Sequence, residues 1–339
     1  AISFEKGYLT ISGLSARELA TQCGTPTFFI DEDHFRDRAR AWSKSLEQHF
    51  GQSAGDVYYA AKAFICTDVA RWIKEEGIGI DVCTGGELAV ALAGGIDPKK
   101  IEVHGNNKSV AEIDRAVQVG VKTIVIDSLF EIDRVAAAAS KHGVRQGVML
   151  RLTPGVEAHT HESISTAHED VKFGFSIASG AAAVAVAEVL THTSLELRGF
   201  HCHVGSQIFG TDSFELAATR IIALMKACKE KHGIELPELD LGGGYAIAYL
   251  SGEKTVEPED VLPSLSAVVK RECAAAGLAL PIISIEPGRN IVGPTTFTLY
   301  EVGTVKNVFL EDGSTRRYIS VDGGMSDNIR PSLYGAEYS

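Results

Sequence analysis

The sequence predicts a (β/α)8 barrel followed by a β segment. Two observations carry this. Eight short apolar runs alternate with Ala-rich amphipathic stretches between Val57 and Glu286, and the alternation stops after Gly293. A doubly wound open sheet is the runner-up. No motif recurs, so the alternation is a fold-level period and not a repeat array.

The elements follow in order. Tyr8–Ser12 alternates like a short strand. Ser15–Gln22 reads as a helix capped by Ser15, with Glu18 at the capping-box position. Thr25–Ile30 is a second strand, and Asp31 caps a long helix to Phe50. Eight barrel strands are predicted at Val57–Lys62, Ile78–Val82, Ile101–His104, Thr123–Asp127, Val148–Leu152, Leu197–Val204, Glu238–Leu241 and Ile282–Glu286. Ile221, Leu224, Met225 and Cys228 fall on one helical face. Residues 157–175, with three histidines (His159, His161, His168), read as a loop over one barrel face. Thr295–Val308 and Arg316–Val321 read as strands with no helix between them. The expected domains are a barrel over 25–290 and a β domain from 1–24 and 291–339.

Composition narrows the function. A chain of 339 residues is long enough for two domains, and its 45% hydrophobic content is that of an ordinary soluble protein. A formal net charge of −12 disfavours nucleic acid and anionic membranes as partners, while leaving room for an anionic small molecule at a local basic site. The six cysteines are scattered without a C-x-x-C pair, which suggests reduced thiols in the cytoplasm. No apolar run is long enough to span a bilayer, and no signal peptide is visible.

The polar residues closing the strands carry the chemistry, because barrel enzymes place their sites at the carboxyl ends of the strands. The first strand ends in Lys62. A lysine closing an apolar strand either snorkels to solvent or has a task, and one task is attack on an aldehyde by an amine whose pKa burial has lowered. The second strand carries Asp81, the third runs into His104-Gly105, the fifth holds Arg151, and the sixth carries His201 and His203 before Ser206. The seventh runs into Gly242-Gly243-Gly244, and the eighth ends in Glu286-Pro287-Gly288-Arg289.

A triple glycine lets backbone N–H groups approach an anion, and barrels often bind phosphate after strands seven and eight. A dinucleotide fingerprint would need glycine where Ile247 stands. Lysine, phosphate loop and acid together suggest pyridoxal phosphate, with Lys62 on the aldehyde, Glu286 on the pyridine nitrogen and His203 on the ring face. His201 and His203 share one side of a strand, but no third metal ligand matches them, so no metal is expected.

Tyr59-Ala60-Ala61-Lys62-Ala63, His201-Cys202-His203-Val204-Gly205-Ser206-Gln207, Asp240-Leu241-Gly242-Gly243-Gly244 and Glu286-Pro287-Gly288-Arg289 resemble the fold-type III pyridoxal-phosphate decarboxylases. The run from Val321 to Pro331 (VDGGMSDNIRP), with Tyr334-Gly335, is similar to the diaminopimelate decarboxylases within that group. The resemblance runs from about Tyr8 to Ser339. It implies an alanine-racemase-like barrel with a β domain that takes in the amino-terminal strands.

It also implies roles. Lys62 would carry the cofactor, His203 stack on it and Glu286 pair with its ring nitrogen. Ser206, Gly242, Gly243, Gly244, Gly288 and Arg289 would bind phosphate beside Pro287, and Asp81 and Arg151 would line the pocket. Arg289, Arg330 and Tyr334 would hold the distal end of meso-2,6-diaminopimelate, which is converted to L-lysine and carbon dioxide by reaction at the D-centre. Two arginines suit a second carboxylate. A homodimer with sites at the subunit interface is implied as well.

Members of that family continue beyond the point where this chain ends. The continuation carries a Cys-Glu-Ser-Gly-Asp motif that reaches the neighbouring subunit's site, and a late tyrosine at the phosphate. The expectation is therefore a β domain without its carboxyl-terminal side, and weak turnover. Three alternatives share the barrel. An ornithine, arginine or lysine decarboxylase is opposed by the Arg330 and Tyr334 motif. A racemase is opposed by Glu286, where alanine racemases resemble one another in having arginine. An inactive regulator is opposed by Lys62.

Overall fold

The structure is a computed structural model that describes residues 2–5, 7–52, 55–156 and 172–337. His159, His161 and His168 lie outside the described residues. Two compact units emerge, one of Arg36–Ile247 with Thr255–Ile291, the other of Ala1–Phe35, Ala248–Lys254 and Val292–Ser339.

The first unit is a closed parallel barrel. Its strands are β1 (Gly55–Ala60), β2 (Gly79–Val82), β3 (Ile101–Val103), β4 (Thr123–Ile126), β5 (Gln146–Thr153), β6 (Leu195–Cys202), β7 (Glu238–Asp240) and β8 (Ile282–Ile285). Each pairs in parallel with the next, and β8 returns to β1 through Ile283 opposite Gly55. Runs such as Ile124-Val125-Ile126 are buried on both faces, as strands wrapped by helices require. All eight predicted strands are present, with ends shifted by a few residues. Lys62 is no longer on its strand but in the 3-10 turn Ala61–Ala63 that follows β1.

Local chemistry sets the helix ends. Ser109 and Glu112 form a reciprocal capping box, and Thr84 accepts from the Glu87 N–H. Gly120, Gly143, Gly233 and Gly277 each close a helix in the left-handed region. The helix Asp212–His232 buries Ile221, Met225 and Cys228 of the predicted face, with Leu224 half-buried.

Asn290 ties down the segment after β8. Its side-chain nitrogen donates to Ala246 O (3.1 Å) and Val256 O (2.8 Å). Its oxygen accepts from Trp42 Nε1 (2.9 Å) and Arg38 Nη2 (2.7 Å). Every polar atom of this buried amide is thus engaged, which avoids a desolvation cost of about 1–3 kcal/mol.

The second unit is built of short antiparallel pairs. Ile2–Glu5, Tyr8–Ile11 and Leu14–Ser15 form a meander. Thr27–Ile30 pairs with Thr296–Leu299, and Phe29 stacks on Phe297 with ring centroids 5.5 Å apart. Val302–Phe309 pairs with Thr315–Val321. The single strand expected over Thr295–Val308 is therefore two. The Ser15 capping box is also absent. Ser15 is held opposite Thr10 in the meander, its hydroxyl makes no cap bond, and Glu18 is exposed. The Asp31 cap is present, its Oδ1 accepting from the His34 N–H at 3.1 Å. Among the described residues no helix is long and apolar enough to cross a membrane.

Candidate active site

A cavity of about 380 Å³ opens at the carboxyl ends of the barrel strands. It is lined by Lys62, Cys83, His104, Gly105, Asn106, Asn107, Arg151, Phe173, His201, His203 and Glu286. Lys62, Arg151, His203 and Glu286 of the sequence-predicted set thus meet on one wall system. Asp81 stands behind Lys62, with Oδ2 3.8 Å from Nζ. Among the described residues Lys62 makes no hydrogen bond, and its side chain is 50% exposed.

Glu286 is the electrostatic centre. It is 2% exposed, and its Oε1 lies 3.1 Å from His201 Nε2 and 3.2 Å from His104 Nε2. Neither approach is aligned well enough to be a hydrogen bond, so among the described residues Oε1 and both nitrogens are buried without one. Burial alone would push this carboxyl up. His104, His201 and Lys62 outweigh burial and hold it well below the usual carboxylate range. The neighbouring acids go the other way. Burial, reinforced by the Glu286 charge, raises Asp81 to about 7. Burial raises Glu102 to about 8, although Lys122 pulls against it. Burial also lowers His104, His201 and His203, against the pull of the Glu286 charge.

The Lys62 amine corrects an expectation. Burial does lower its pKa, but Asp81, Glu286 and Cys83 together raise it by more, and the net direction is up. Facing two acids, the lysine is favoured as an ammonium.

Three loops adjoin beside this cavity. Ile208 N donates to Gly244 O (2.9 Å) and Ala246 N to Ile208 O (3.1 Å), which zips the loop after β6 to the loop after β7. A Cβ on Gly244 would collide with the Gly205 carbonyl, and one on Gly243 with the Glu286 carbonyl. A Cβ on Gly288 would stand 2.8 Å from Ala60 Cβ. Gly205-Ser206, Gly242–Gly244 and Glu286-Pro287-Gly288 are thus packed backbone to backbone, and Arg289 opens a short helix after them.

The glycines are required for this packing, so reading them only as room for an anion is incomplete. The Gly242 N–H is committed to Asp240 Oδ1 at 2.7 Å, which removes it as a phosphate donor. The Gly243 N–H points at His203 Nδ1 at 3.4 Å.

Arg151 is held by its neighbours. Its guanidinium lies 4.4 Å from the Phe173 ring centroid, and Nη1 is 3.7 Å from Asp127 Oδ1. Asp127 Oδ2 in turn accepts from the Gly174 N–H at 3.1 Å. In the other unit, Arg330 begins the short helix Arg330–Tyr334 and lies over two rings, Tyr334 (5.6 Å) and Tyr249 (5.7 Å).

Residues 32–293 match the family model described as "Pyridoxal-dependent decarboxylase, pyridoxal binding domain". The chain is 53% identical over 338 residues to the diaminopimelate decarboxylase of Mycobacterium tuberculosis, covering 98% of this chain and 74% of that protein. The chain belongs to the diaminopimelate decarboxylase family. It is also 42% identical to the diaminopimelate decarboxylase of Halalkalibacterium halodurans, over 98% of this chain and 74% of that one. The crystal structure of diaminopimelate decarboxylase from M. jannaschii in complex with L-lysine superposes with a TM-score of 0.90 at 27% identity, covering all of this chain and 77% of that one.

The family's cofactor is pyridoxal phosphate, and the residues present fit it. The cavity is lined by an amine and by a buried carboxylate whose Oε1 has no hydrogen bond among the described residues. Beside it three loops approach so closely that any side chain beyond glycine would fill the gap. His104 and His201 are residues that the sequence places at the strand ends without giving them a role at the cofactor. With Glu286 they bring three ligand atoms within 4.8 Å of one another, a set that does not include His203. Position after an apolar strand marks His104 as inward. Nothing in the sequence says that it meets Glu286, 182 positions away, across the barrel.

Proposed function

We propose that the protein decarboxylates meso-2,6-diaminopimelate to L-lysine and carbon dioxide, a reading supported by its relatives, which are named diaminopimelate decarboxylases. One observation carries the proposal at the level of the site. The family's lysine and glutamate positions fall on one cavity, with the glutamate buried and ionised. Pyridoxal phosphate, when bound, supplies an electron sink for the pair released as the carboxylate leaves.

The chain's own residues do the rest. Lys62 would hold the cofactor through Nζ, with Asp81 behind it. His203, its Nδ1 turned to the Gly243 N–H, would cover the ring. Glu286 would accept a hydrogen bond from the protonated ring nitrogen and keep it charged. Gly243, Gly244, Ser206, Gly288 and Arg289 would bind the phosphate next to Pro287, and Gly242 shapes that loop by its bond to Asp240. Arg151 is a fixed cation on the cavity wall. The resemblance assigns Arg289, Arg330 and Tyr334 to the distal carboxylate and amine of the substrate, a task for which a guanidinium fork is suited. A homodimer in the cytoplasm, with each site at the subunit interface, completes the reading.

The test is a substrate panel. The protein is incubated with pyridoxal phosphate and, separately, meso-diaminopimelate, its L,L isomer, ornithine, arginine and lysine, while carbon dioxide is followed. The ranking of substrates is the readout. Carbon dioxide from meso-diaminopimelate above the others, with L-lysine as co-product, is expected. Release from ornithine or lysine with none from meso-diaminopimelate overturns the assignment.

A further inference from the structure

We propose that His104 and His201 are a positioning pair for Glu286, each directing an Nε2–H at carboxylate oxygen Oε1 and turning the other oxygen towards the ring nitrogen of the bound cofactor. This rests on the cofactor reading above and adds two residues to it.

The geometry is specific. The two imidazoles come from different strands, His104 just past β3 and His201 on β6, and converge on one oxygen at 3.2 and 3.1 Å. Their rings meet edge to face with centroids 4.8 Å apart, so neither can swing without moving the other. Both are buried, His104 at 4% exposure and His201 at 1%. His104 Nε2 has other acids in reach, Asp81 Oδ1 at 3.8 Å and Glu102 Oε2 at 3.9 Å, but Glu286 is nearest.

Glu286 therefore faces His104 and Glu102 from the β3 side, His201 from β6, Asp81 from β2, Asp240 from β7 and Lys62 from the turn after β1. Of these neighbours the two imidazoles come within hydrogen-bond distance of Oε1, while Lys62 and the acids that burial pushes up, Asp81, Glu102 and Asp240, are the other groups with a proton to give. A proton on His201 Nε2 leaves Nδ1, which has no hydrogen-bond partner among the described residues, as a bare acceptor and not as a stranded N–H.

The experiment reads the ring nitrogen directly. The protein is loaded with pyridoxal phosphate labelled with ¹⁵N in the ring, and the ¹⁵N shift is followed from pH 6 to 9. His104→Phe and His201→Phe keep a ring but no donor, and His104→Gln and His201→Gln restore an N–H. The wild type and the Gln variants are expected to hold the ring nitrogen protonated across the range. The Phe variants should lose that proton with an apparent pKa lower by about one unit or more, a tenfold loss of proton affinity.

Phe variants that hold the proton as the wild type does overturn the proposal. A second readout needs no substitution: ¹⁵N-histidine spectra of the loaded wild type should show the Nε2–H tautomer at both residues, and an Nδ1–H tautomer at either overturns it. A wild type that takes up no cofactor overturns the cofactor reading and this proposal together. A loaded wild type with indifferent Phe variants overturns this proposal alone.

Discussion

Lys62 Nζ stands 3.8 Å from Asp81 Oδ2, close enough for charge coupling and too far for a hydrogen bond. Burial pulls the amine down while Asp81 and then Glu286 push it up by more, so the net shift is upward. Asp81→Asn removes the larger push. The uncharged fraction of Lys62 should then be greater at every pH near neutrality. In the cofactor-free protein, the rate of pyridoxal phosphate capture, followed by absorbance between pH 6 and 9, should rise at lower pH in the variant. A profile that moves to higher pH, or does not move, contradicts the coupling.

Glu286→Gln keeps shape and removes charge. Cofactor capture at Lys62 should survive within a few-fold. Turnover should fall by ~10²-fold or more, as for other electrostatic groups aimed at developing charge. Steady-state kinetics beside cofactor titration separates the two, and unchanged turnover removes Glu286 from the reaction.

Glu102 predicts a stability effect with a defined sign. Its folded pKa is raised to about 8, against an ordinary value of 4.5, chiefly by burial. The folded protein therefore binds a proton that the unfolded chain has released between these values, and stability falls as pH rises through that window. Glu102→Gln should raise the melting temperature of the cofactor-free protein by ~2 °C or more at pH 8 and by little at pH 4. A variant equally shifted at both pH values, or destabilised at pH 8, contradicts this.

Lys108 anchors the loop that carries Gly105 to Asn107 into the cavity. Its buried Nζ donates to Gly105 O (2.7 Å), Val125 O (2.6 Å) and Glu131 Oε1 (2.6 Å). Lys108→Met strands the Glu131 carboxylate and should cost about 3–5 kcal/mol in denaturant unfolding. Adding Glu131→Gln should recover part of that loss. A single variant as stable as the wild type would show that the loop is held by other means.

The barrel was legible in the sequence because parallel strands buried on both faces are short unbroken apolar runs, and Ile124-Val125-Ile126 or Val57-Tyr58-Tyr59 cannot be read otherwise once helices alternate with them. Lys62, Asp81, Arg151 and Glu286 were legible for the related reason that a polar residue ending such a run must face the site. What the sequence hid is which inward residues face each other. That depends on strand tilt and stagger, so the meeting of His104, His201 and Glu286 had no local signal. The fate of individual N–H groups was hidden too. Gly242 reads as an anion donor until Asp240 is seen two residues back, turned onto it. Ser15 and Glu18 match a capping box by spacing, yet pairing of Ser15 with Thr10 overrides it.

The central claim is that the chemistry is housed in the cavity between Lys62 and Glu286. The most direct measurement is borohydride reduction of the protein loaded with pyridoxal phosphate, followed by peptide mapping. A single pyridoxyl-modified lysine at position 62, absent from the Lys62→Ala variant, is the predicted result. A reduced adduct on any other lysine, with Lys62 unmodified, would contradict the account.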